Sequence, residues 1–366
     1  MSGEQFTMNT PDLIDAVSRA ARIAPKRGHE FDVAAGIRFS TEGGKLVVKA
    51  SDLSTNYRQQ APLLEGDFEP FRCPSGVLAN WISHLPTGEG SVTQVRLLRD
   101  EQRVTFTSET SKAKFGLIMG ESFPEFKVFG GGELAEVDGL AERLRQVSWA
   151  CHRDSIPLSG IHIDGDFLVG CDTAKIAEVE CVVPVDRPVT APLTGVANAL
   201  RGNRGPVGIR VDDRFLYLAP DPDIQITTTL YEASYPNIQF LRDKTTENVE
   251  TQVVADAMQA ALARINSLCS AERYPTVTMQ LDGTAMRLSA SIEELGEVEE
   301  LLEFEVGLND QKIEVNFTPT TLAEIGAAAN GTLLTVAWPK NLDPLQPLRI
   351  TDKAGFNCIA MPRRNS

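Results

Sequence analysis

The sequence repeats one strand, turn and strand pattern three times, and this repeat decides the fold. The pattern reads IRFSTEGGKLVVKASD at 37–52, IHIDGDFLVGCDT at 161–173 and VTMQLDGTAMRLSAS at 277–291. Apolar and polar residues alternate on both sides of a DG or GG pair, as two half-buried strands joined by a two-residue turn require. The turn glycines Gly44, Gly165 and Gly283 are 121 and 118 residues apart, close to a third of the 366-residue chain. We therefore predict three copies of one unit.

Each hairpin lies between two segments with helical spacing of apolar residues. The segments before the hairpins predict first helices over 11–24, 138–153 and 253–270. A proline begins each segment after a hairpin, which predicts second helices over 75–85, 192–202 and 319–329. Alternating segments such as 95–109 and 207–219 predict further antiparallel strands. The predicted fold class is α+β, with two helices and several antiparallel strands in each copy.

Two polar or glycine-rich segments mark the limits of the copies. FGGGE at 129–133 follows FPEF, and RDKTTENVE at 242–250 follows YPNI. Such segments are typical of connections between domains. We predict domain 1 over 1–130, domain 2 over 131–247 and domain 3 over 248–366.

Composition limits the function classes. The chain has 35 Lys and Arg against 50 Asp and Glu, a net charge of −15, which excludes phosphate binding through overall positive charge. Its six cysteines form no CxxC pair and are widely spaced, so we expect buried free thiols rather than disulfides or a zinc site. We find no signal segment and no apolar run long enough for a membrane span, and we expect a cytoplasmic protein without a membrane partner.

The repeat and its local motifs resemble the bacterial beta sliding clamp, the processivity subunit of DNA polymerase III holoenzyme. CDTAKIA at 171–177 is similar to the family's Thr-Asp-Gly-His-Arg-Leu segment, and FTPTTL at 317–322 to its Phe-Asn-Pro-x-Tyr-Leu segment. PLQPLRI at 344–350 and the Met-Pro of the final residues match two further family segments. The residues that depart from the family, among them Thr173, Ala174, Lys175 and Thr321, are typical of a divergent or bacteriophage-encoded member.

This resemblance implies three tandem copies of the DNA-clamp fold in a head-to-tail homodimer, a ring with helices inside and sheets outside. It implies a processivity factor for DNA replication that encircles double-stranded DNA without reading its sequence. The implied partners are the replicative DNA polymerase, an ATP-dependent clamp loader and other proteins with a clamp-binding motif. We expect no catalysis, no cofactor and no metal.

Charge is sorted along the chain in agreement with such a ring. The six predicted helices sum to +1, and the rest of the chain carries −16. Phosphate contacts position a protein without reading sequence, as a mobile clamp requires. The predicted DNA-binding residues are Arg22, Lys26, Arg27, His152, Arg153, Arg201, Arg204 and Arg264. The alternative for each is an ordinary solvated surface residue.

An edge strand of the first copy and an acidic segment of the third predict the dimer interface. TSKAKF at 110–115 resembles the family's edge strand that meets the third domain of the partner. Its lysines would face glutamates, while Phe115 packs near Leu268 as the apolar centre. The predicted interface residues are Lys112, Lys114, Phe115, Leu268, Glu299, Glu300 and Glu303. The alternative is that the glutamates of 293–305 form a solvated acidic face.

The resemblance also implies a groove between domains 2 and 3 that binds short peptides from partner proteins. Apolar, adaptable side chains suit a groove that accepts Leu or Phe anchors. The predicted groove residues are Leu158, Cys171, Asp172, Thr173, Ile176, Pro236, Phe240, Leu241, Thr321, Gln346, Pro347, Ile359, Ala360, Met361, Pro362 and Arg363. The alternative for Ile176, Leu241 and Ile359 is an ordinary core position.

Two other functions are compatible with parts of the sequence. One is a clamp-fold interaction protein that sequesters clamp-binding partners without encircling DNA. The other is a carboxylate-based hydrolase using acid pairs such as Asp164 and Asp166, or Asp212 and Asp213. These acids lie at predicted hairpin turns, where Asp is favoured for backbone reasons.

Overall fold

The chain folds into two compact units. The computed structural model describes residues 4–25, 34–98, 101–119, 123–125, 129, 132–244, 248–270, 272–273, 275–282, 285–304, 312–339 and 343–363. One unit comprises Met1–Ala141 with Ala191–Leu230, and the other Glu142–Thr190 with Tyr231–Ser366. The predicted boundaries at 130 and 247 stay a prediction. Gly283, Lys26 and Arg27 lie outside the described residues.

The helices of the described residues agree in most cases with the predicted segments. They are α1 Thr10–Ile23, α2 Ser75–Ile82, α3 Leu140–Ser148, a π-helix Thr194–Asn198, α4 Gln239–Lys244, α5 Ala255–Cys269 and α6 Pro319–Ala328. None is long and apolar enough to cross a membrane. The prediction for 192–202 was wrong in type, since Pro192 ends a strand and the helix that follows is a short π-helix. Helix α4 was not predicted.

Strands are the most frequent regular element among the described residues. The first ten are β1 Gln5–Asn9, β2 Ile37–Glu42, β3 Lys45–Ser51, β4 Thr55–Pro62, β5 Glu65–Asp67, β6 Phe71–Cys73, β7 Val92–Leu98, β8 Arg103–Thr107, β9 Lys112–Gly116 and β10 Ala135–Val137. The next seven are β11 Gly160–Ile163, β12 Phe167–Cys171, β13 Lys175–Glu180, β14 Val189–Pro192, β15 Val207–Val211, β16 Phe215–Asp221 and β17 Ile224–Thr229. The last eight are β18 Asn248–Val254, β19 Val277–Asp282, β20 Ala285–Ile292, β21 Gly296–Glu303, β22 Lys312–Phe317, β23 Leu333–Pro339, β24 Leu348–Asp352 and β25 Phe356–Ala360. The predicted α+β class is confirmed.

The hairpins that defined the repeat form as predicted. Strands β2 and β3 pair through Glu42 and Lys45, and both turn glycines between them, Gly43 and Gly44, have positive φ. The φ of Gly165 in the second hairpin is +109°. Glycine adopts these backbone angles at a lower cost than other residues, so the turn residues favour the observed register of both strands.

Four sheets organise the strands. Two contain strands of a single sequence copy, in the orders β5-β1-β7-β8-β9 and β21-β20-β19-β22. The other two have eight strands, in the orders β10-β15-β16-β17-β4-β3-β2-β6 and β14-β11-β12-β13-β25-β24-β23-β18. Each eight-stranded sheet therefore takes four strands from one copy and four from the next.

Each eight-stranded sheet is continuous because two strands from different copies pair at its middle. In junction one, β4 of the first copy pairs with β17 of the second, with Thr55 opposite Thr228. In junction two, β13 of the second copy pairs with β25 of the third, with Lys175 opposite Ala360. Both junctions are antiparallel. They join the fourth strand of one copy to the last strand of the next.

Helix contacts accompany the strand contacts at both junctions. Arg22 of α1 donates a hydrogen bond to the carbonyl of Arg201, just after the π-helix. Arg145 of α3 donates to the carbonyl of Ala327 in the last turn of α6, over 2.7 Å. The C-terminal carbonyls of a helix carry partial negative charge, so a guanidinium is favourable there. The two junctions are therefore built alike.

Gly195 of the π-helix allows close packing at junction one. A Cβ atom there would lie 2.3 Å from the hydroxyl oxygen of Thr228 and 2.7 Å from that of Thr55. Because these buried threonines hydrogen-bond to each other over 2.9 Å, they have little room to move. We expect Gly195→Ala to lower the free energy of unfolding by about 1–3 kcal/mol, measured by chemical denaturation. Gly205→Ala, with no atom within 4 Å of its Cβ, is the control, and an equal effect would contradict the packing argument.

Candidate functional site

An apolar cluster lies on one face of three strands in the second unit. Alternate residues of β12 share a face, and Cys171 is opposite Ile176, which is in turn opposite Ile359. Because opposite residues in antiparallel strands share a face, these side chains meet. The groove cluster consists of Val169, Cys171, Ile176 and Ile359, all buried.

Partly buried side chains surround the groove cluster. They are Leu158, Phe167, Tyr235, Ile238 and Leu241. The structure thus brings together five predicted groove residues, namely Leu158, Cys171, Ile176, Leu241 and Ile359. Sequence reasoning missed Phe167, Val169, Tyr235 and Ile238. Phe167 and Val169 could have been found from the alternation of β12, which places them on the same face as Cys171. Tyr235 and Ile238 could have been found from their spacing of three residues, which continues to Leu241.

A buried ion pair holds α4 against the sheet beside the groove cluster. Arg242 donates to one carboxylate oxygen of Glu178 from Nε and Nη2, over 2.8 and 2.7 Å. Asn357 donates to the other oxygen over 2.9 Å. Glu178 is only 4% exposed, so these partners replace the solvent contacts that its carboxylate loses. The pair fixes the position of the neighbouring Leu241.

A cavity of about 510 Å³ adjoins the cluster on the side of this ion pair. Phe167 and Ile359 line it together with Glu178, Arg242 and Arg349. The guanidinium of Arg242 lies over the Phe167 ring, 5.8 Å from its centroid. The apolar cluster therefore continues into a polar cavity lined by both charge signs.

The turn after β12 forms one end of the groove. One carboxylate oxygen of Asp172 accepts hydrogen bonds from the backbone of Ala174 and Lys175, and the other pairs with the Lys175 ammonium over 2.6 Å. The backbone N–H of Met361 donates to the carbonyl of Ala174 over 2.8 Å. Met361 follows β25 directly and its side chain is 37% exposed. Asp172 thus shapes the turn, and Met361 lies beside it.

The other predicted groove residues lie on several elements. Thr173, Pro236 and Phe240 are exposed, and Ala360 is buried at the end of β25. Thr321 belongs to α6, and Gln346 and Pro347 precede β24. Arg363 donates to the carbonyl of Pro275 over 2.8 Å, and the half-buried Pro362 precedes it. Their part in a groove stays a prediction.

Burial changes the chemistry of the thiols in this region. Loss of solvent raises the pKa of Cys171 to about 11 and that of Cys151 to about 12, so both stay protonated at neutral pH. All six cysteines are free, and five of them are buried. Cys171 therefore packs as an apolar side chain of the cluster and does not act as a nucleophile.

Two predicted DNA-binding residues meet in the first unit. Arg22 and Arg201 are both exposed, and the Arg22 guanidinium donates to the Arg201 carbonyl. Partial burial, followed by the nearby charges of Arg19 and Arg201, lowers the pKa of Arg22. Positive charge is therefore concentrated where α1 meets the π-helix. Arg204 is exposed a few residues further on.

The predicted DNA-binding residues of the second unit have different surroundings. His152 accepts hydrogen bonds at Nδ1 from the backbone of Asp154 and Ser155, so it caps a turn next to the groove cluster. Arg153 is exposed. Arg264 pairs with Glu300 over 2.6 and 2.7 Å, and this hydrogen-bonded pair lowers the pKa of Glu300. The structure therefore pairs Arg264 with a residue predicted for the dimer interface.

The predicted interface residues lie on two edge strands, β9 in the first unit and β21 in the second. Lys112 and Lys114 are exposed on β9, where Phe115 turns to the other face and contacts Trp81, with ring centroids 5.9 Å apart. On β21, Glu299 and Glu303 are exposed, and Glu299 pairs with Arg287 over 2.6 Å. Leu268 of α5 is half-buried. Strands β9 and β21 are each an outer strand of their sheet.

The acid pairs considered for hydrolysis act as turn residues. Asp164 accepts hydrogen bonds from the backbone of Asp166 and Phe167, and Asp212 from that of Arg214 and Phe215. These bonds stabilise the hairpin turns. Among the described residues, no group of three His, Cys, Asp or Glu side chains could hold a metal ion.

Solved structures match the chain over nearly its full length, although no protein-family model and no curated protein matches its sequence. The DNA polymerase III beta subunit of Thermotoga maritima matches with a TM-score of 0.81 and 20% identity, covering 99% of this chain and 100% of that one. The DNA polymerase sliding clamp of Bacillus subtilis matches with 0.78 and 15%, covering 100% of both. The DNA polymerase beta subunit of Streptococcus pyogenes matches with 0.77 and 18%, covering 99% and 100%.

These similarities include both units and all four sheets, because they extend over almost every residue of the chain. At such identities they establish the fold. The resemblance inferred from the repeat is confirmed at that level: the chain has the fold of the beta sliding clamps of bacterial DNA polymerase III.

Proposed function

We propose that this protein is a DNA sliding clamp, a processivity factor that encircles duplex DNA as a homodimeric ring. In this proposal it is a cytoplasmic, non-catalytic accessory subunit. An ATP-dependent loader places it on DNA, where it tethers the replicative polymerase and other proteins with a clamp-binding motif. The full-length likeness to bacterial clamps supports the proposal.

The construction of the two junctions carries the proposal. Each junction joins the fourth strand of one copy to the last strand of the next. Among the described strands of one chain, this rule leaves two without a junction partner, β9 as the last strand of the first copy and β21 as the fourth strand of the last copy. A second chain placed head to tail supplies both partners. Such contacts between unlike surfaces close into a ring when the rotation allows.

Helix number and charge agree with a hole that admits DNA. Two helices per copy give twelve in a dimer, and about 10 Å between axes places them on a circle about 38 Å across. Subtracting a helix radius of about 5 Å on each side leaves about 28 Å, wider than a DNA duplex. The predicted helical segments sum to +1 while the rest of the chain carries −16. Acidic surfaces elsewhere would keep DNA from binding outside the hole.

The groove cluster is the proposed site for partner peptides. A Leu or Phe anchor would find apolar contacts there. They come from the four buried residues of the cluster, from the half-buried Leu158 and Leu241, and from the exposed Met361. The adjoining polar cavity would receive residues flanking the anchor.

Met361→Ala tests the groove. We expect it to weaken binding of a polymerase-type clamp peptide about tenfold, because it removes a flexible apolar contact, with fluorescence anisotropy as the measurement. Val182→Ala, which truncates an exposed apolar side chain of the same unit that is not among the predicted groove residues, is the matched control. Equal affinities of wild type and Met361→Ala would remove Met361 from the groove.

The sliding-ring mechanism is tested by retention on nicked circular DNA. After loading and removal of free protein, we expect the clamp to stay on the circle and to be lost within minutes of linearisation, because a topological link must leave through free ends. Retention unchanged by linearisation would contradict the mechanism. Failure to load, combined with peptide binding in the groove, would favour the sequestering protein instead.

A further inference from the structure

We propose that Arg349 makes the groove cluster selective for partner peptides that carry a carboxylate two residues from the apolar anchor. The inference rests on the proposed function, because it takes the groove cluster as the peptide site. It adds the chemical class of the flanking residue and the side chain that recognises it. All the residues that carry the argument belong to the second unit.

Arg349 lies on the face of the sheet that carries the groove cluster. In β24 it is opposite Ile359 of β25, and Ile359 is in turn opposite Ile176 of β13. Because directly opposite residues of antiparallel strands share a face, the three side chains form one row across three neighbouring strands. The row begins with apolar side chains of the cluster and ends with a guanidinium.

A chain of hydrogen bonds orients the Arg349 guanidinium. Its Nε donates to Oδ1 of Asn357 over 2.9 Å. The amide nitrogen of Asn357 donates to Glu178 over 2.9 Å, and Glu178 accepts from Arg242 of α4 over 2.8 and 2.7 Å. The chain thus runs from α4 across β13 and β25 to β24. A donor that is held in place before binding loses less side-chain entropy when its ligand arrives.

The two terminal nitrogens of Arg349 are available to a ligand. Two arginines line the cavity of about 510 Å³, and in the part of the chain that the structure describes Arg242 pairs with Glu178, whereas no ion pair includes Arg349. Arg349 is half-buried, so a ligand at its terminal nitrogens is partly shielded from water. A planar carboxylate fits these nitrogens side by side, and hydrogen bonds between charged groups are stronger than neutral ones. The ligand that this position fits best is therefore a carboxylate.

Other carboxylates line the cavity without neutralising this position. Asp352 accepts hydrogen bonds from four backbone N–H groups, so it holds a turn in place. Asp243 accepts a hydrogen bond from Gln239 over 2.8 Å within α4, and Glu180 is exposed. These acids would repel a ligand carboxylate from the rest of the cavity. The favourable position for a carboxylate is therefore the end of the row, beside Arg349.

The spacing of the row predicts which peptide residue meets Arg349. Neighbouring strands lie about 4.8 Å apart, so an anchor seated between Ile176 and Ile359 is centred about 7 Å from the backbone of Arg349. In an extended peptide, residues two positions apart point to the same side and are separated by about 6.7 Å. For a peptide that crosses the strands, an acidic residue two positions from the anchor therefore points toward the guanidinium. A residue one position from the anchor points away from the sheet.

Fluorescence anisotropy with four peptides of one anchor sequence tests the selectivity. All have capped termini; one carries only neutral flanking residues, and the others carry a single Glu two residues before, two residues after or five residues after the anchor. We expect one of the first two Glu peptides to bind about fivefold more tightly than the neutral peptide, and the third to bind like the neutral peptide. In Arg349→Gln we expect this preference to disappear while the affinity of the neutral peptide stays within about twofold of wild type.

Two further variants separate a local contact from the overall charge of the protein. Arg187→Gln makes the same change in net charge at an exposed position of the same unit that does not line the cavity, and we expect it to keep the preference. Arg349→Glu places a negative charge at the end of the row, and we expect it to favour a Lys peptide over the Glu peptide at the selected position. Loss of the preference in Arg187→Gln to the same extent as in Arg349→Gln would overturn the role of Arg349.

The source of the carboxylate and the groove itself are tested with the same protein. A neutral peptide that ends two residues after the anchor is compared with a free and with an amidated C-terminus. Tighter binding of the free form, lost in Arg349→Gln, would assign the site to a peptide C-terminus, whereas a preference confined to the Glu peptides would assign it to an acidic side chain. Equal binding of all these peptides to wild type would overturn the selectivity and leave the groove intact. Failure of every peptide to bind would instead overturn the groove as the peptide site.

Discussion

Replacing Arg242 by methionine is expected to destabilise the second unit by about 3 kcal/mol, because it leaves the Glu178 carboxylate buried without a counter-charge. The Glu178 side chain is only 5% exposed and, among the described contacts, keeps the neutral donor Asn357 after the change. Chemical denaturation followed by a spectroscopic probe measures the loss. Peptide binding should weaken as well, because Arg242 fixes the segment that carries Leu241.

Two variants separate the ion pair from ordinary packing. Arg349→Met changes another arginine of the same cavity, but one whose Nε donates to the neutral Asn357, so we expect a loss of only about 1 kcal/mol. Adding Glu178→Gln to Arg242→Met removes the buried charge and should recover part of the stability. Equal losses in Arg242→Met and Arg349→Met would contradict the special role of the ion pair.

Phe115→Ala is expected to weaken dimerisation of the proposed ring about thirtyfold, about 2 kcal/mol, since a large aromatic side chain at the centre of an interface contributes most of its affinity. Phe115 lies beside Trp81 and Phe106 in the first unit, with ring centroids 5.9 and 5.7 Å away. The two exposed lysines of β9, Lys112 and Lys114, both precede Phe115 in the strand. Sedimentation equilibrium measures the change in dissociation constant.

Controls distinguish an interface effect from a loss of folding. Phe115→Leu keeps an apolar side chain in contact with Trp81, so we expect an intermediate dissociation constant and an unchanged melting temperature. Val182→Ala truncates a side chain that is 75% exposed and belongs to neither edge strand. If Phe115→Ala dimerises as tightly as Val182→Ala, Phe115 does not lie at the centre of the interface.

Local patterns predicted the parts of the fold that depend on neighbouring residues. The hairpin turns at Gly44 and Gly165 follow from backbone angles that glycine alone adopts easily, and both form. The prolines at the starts of α1 and α6 lie in first turns, where their missing N–H groups cost nothing. Helix α5 begins and ends within two residues of its prediction because its apolar spacing is regular.

Features that depend on distant partners could not be predicted in the same way. The pairing of Ile176 with Ile359 connects strands that are about half the chain apart in sequence. No local pattern in either strand identifies the other as its partner. The sequence placed Arg264 toward DNA and Glu300 toward a second chain, whereas the structure pairs the two. The close approach of Gly195 in the π-helix to Thr228 involves a residue of another element.

The sharing of each eight-stranded sheet between two copies limits how far the protein can be dissected. A fragment ending at residue 130 would keep β4 but lose β17, and so would present the unpaired backbone of an eight-residue strand to solvent. Exposed strands of this kind recruit other chains and favour aggregation. We therefore expect a separated copy to be prone to aggregation, although the copies are repeated in sequence.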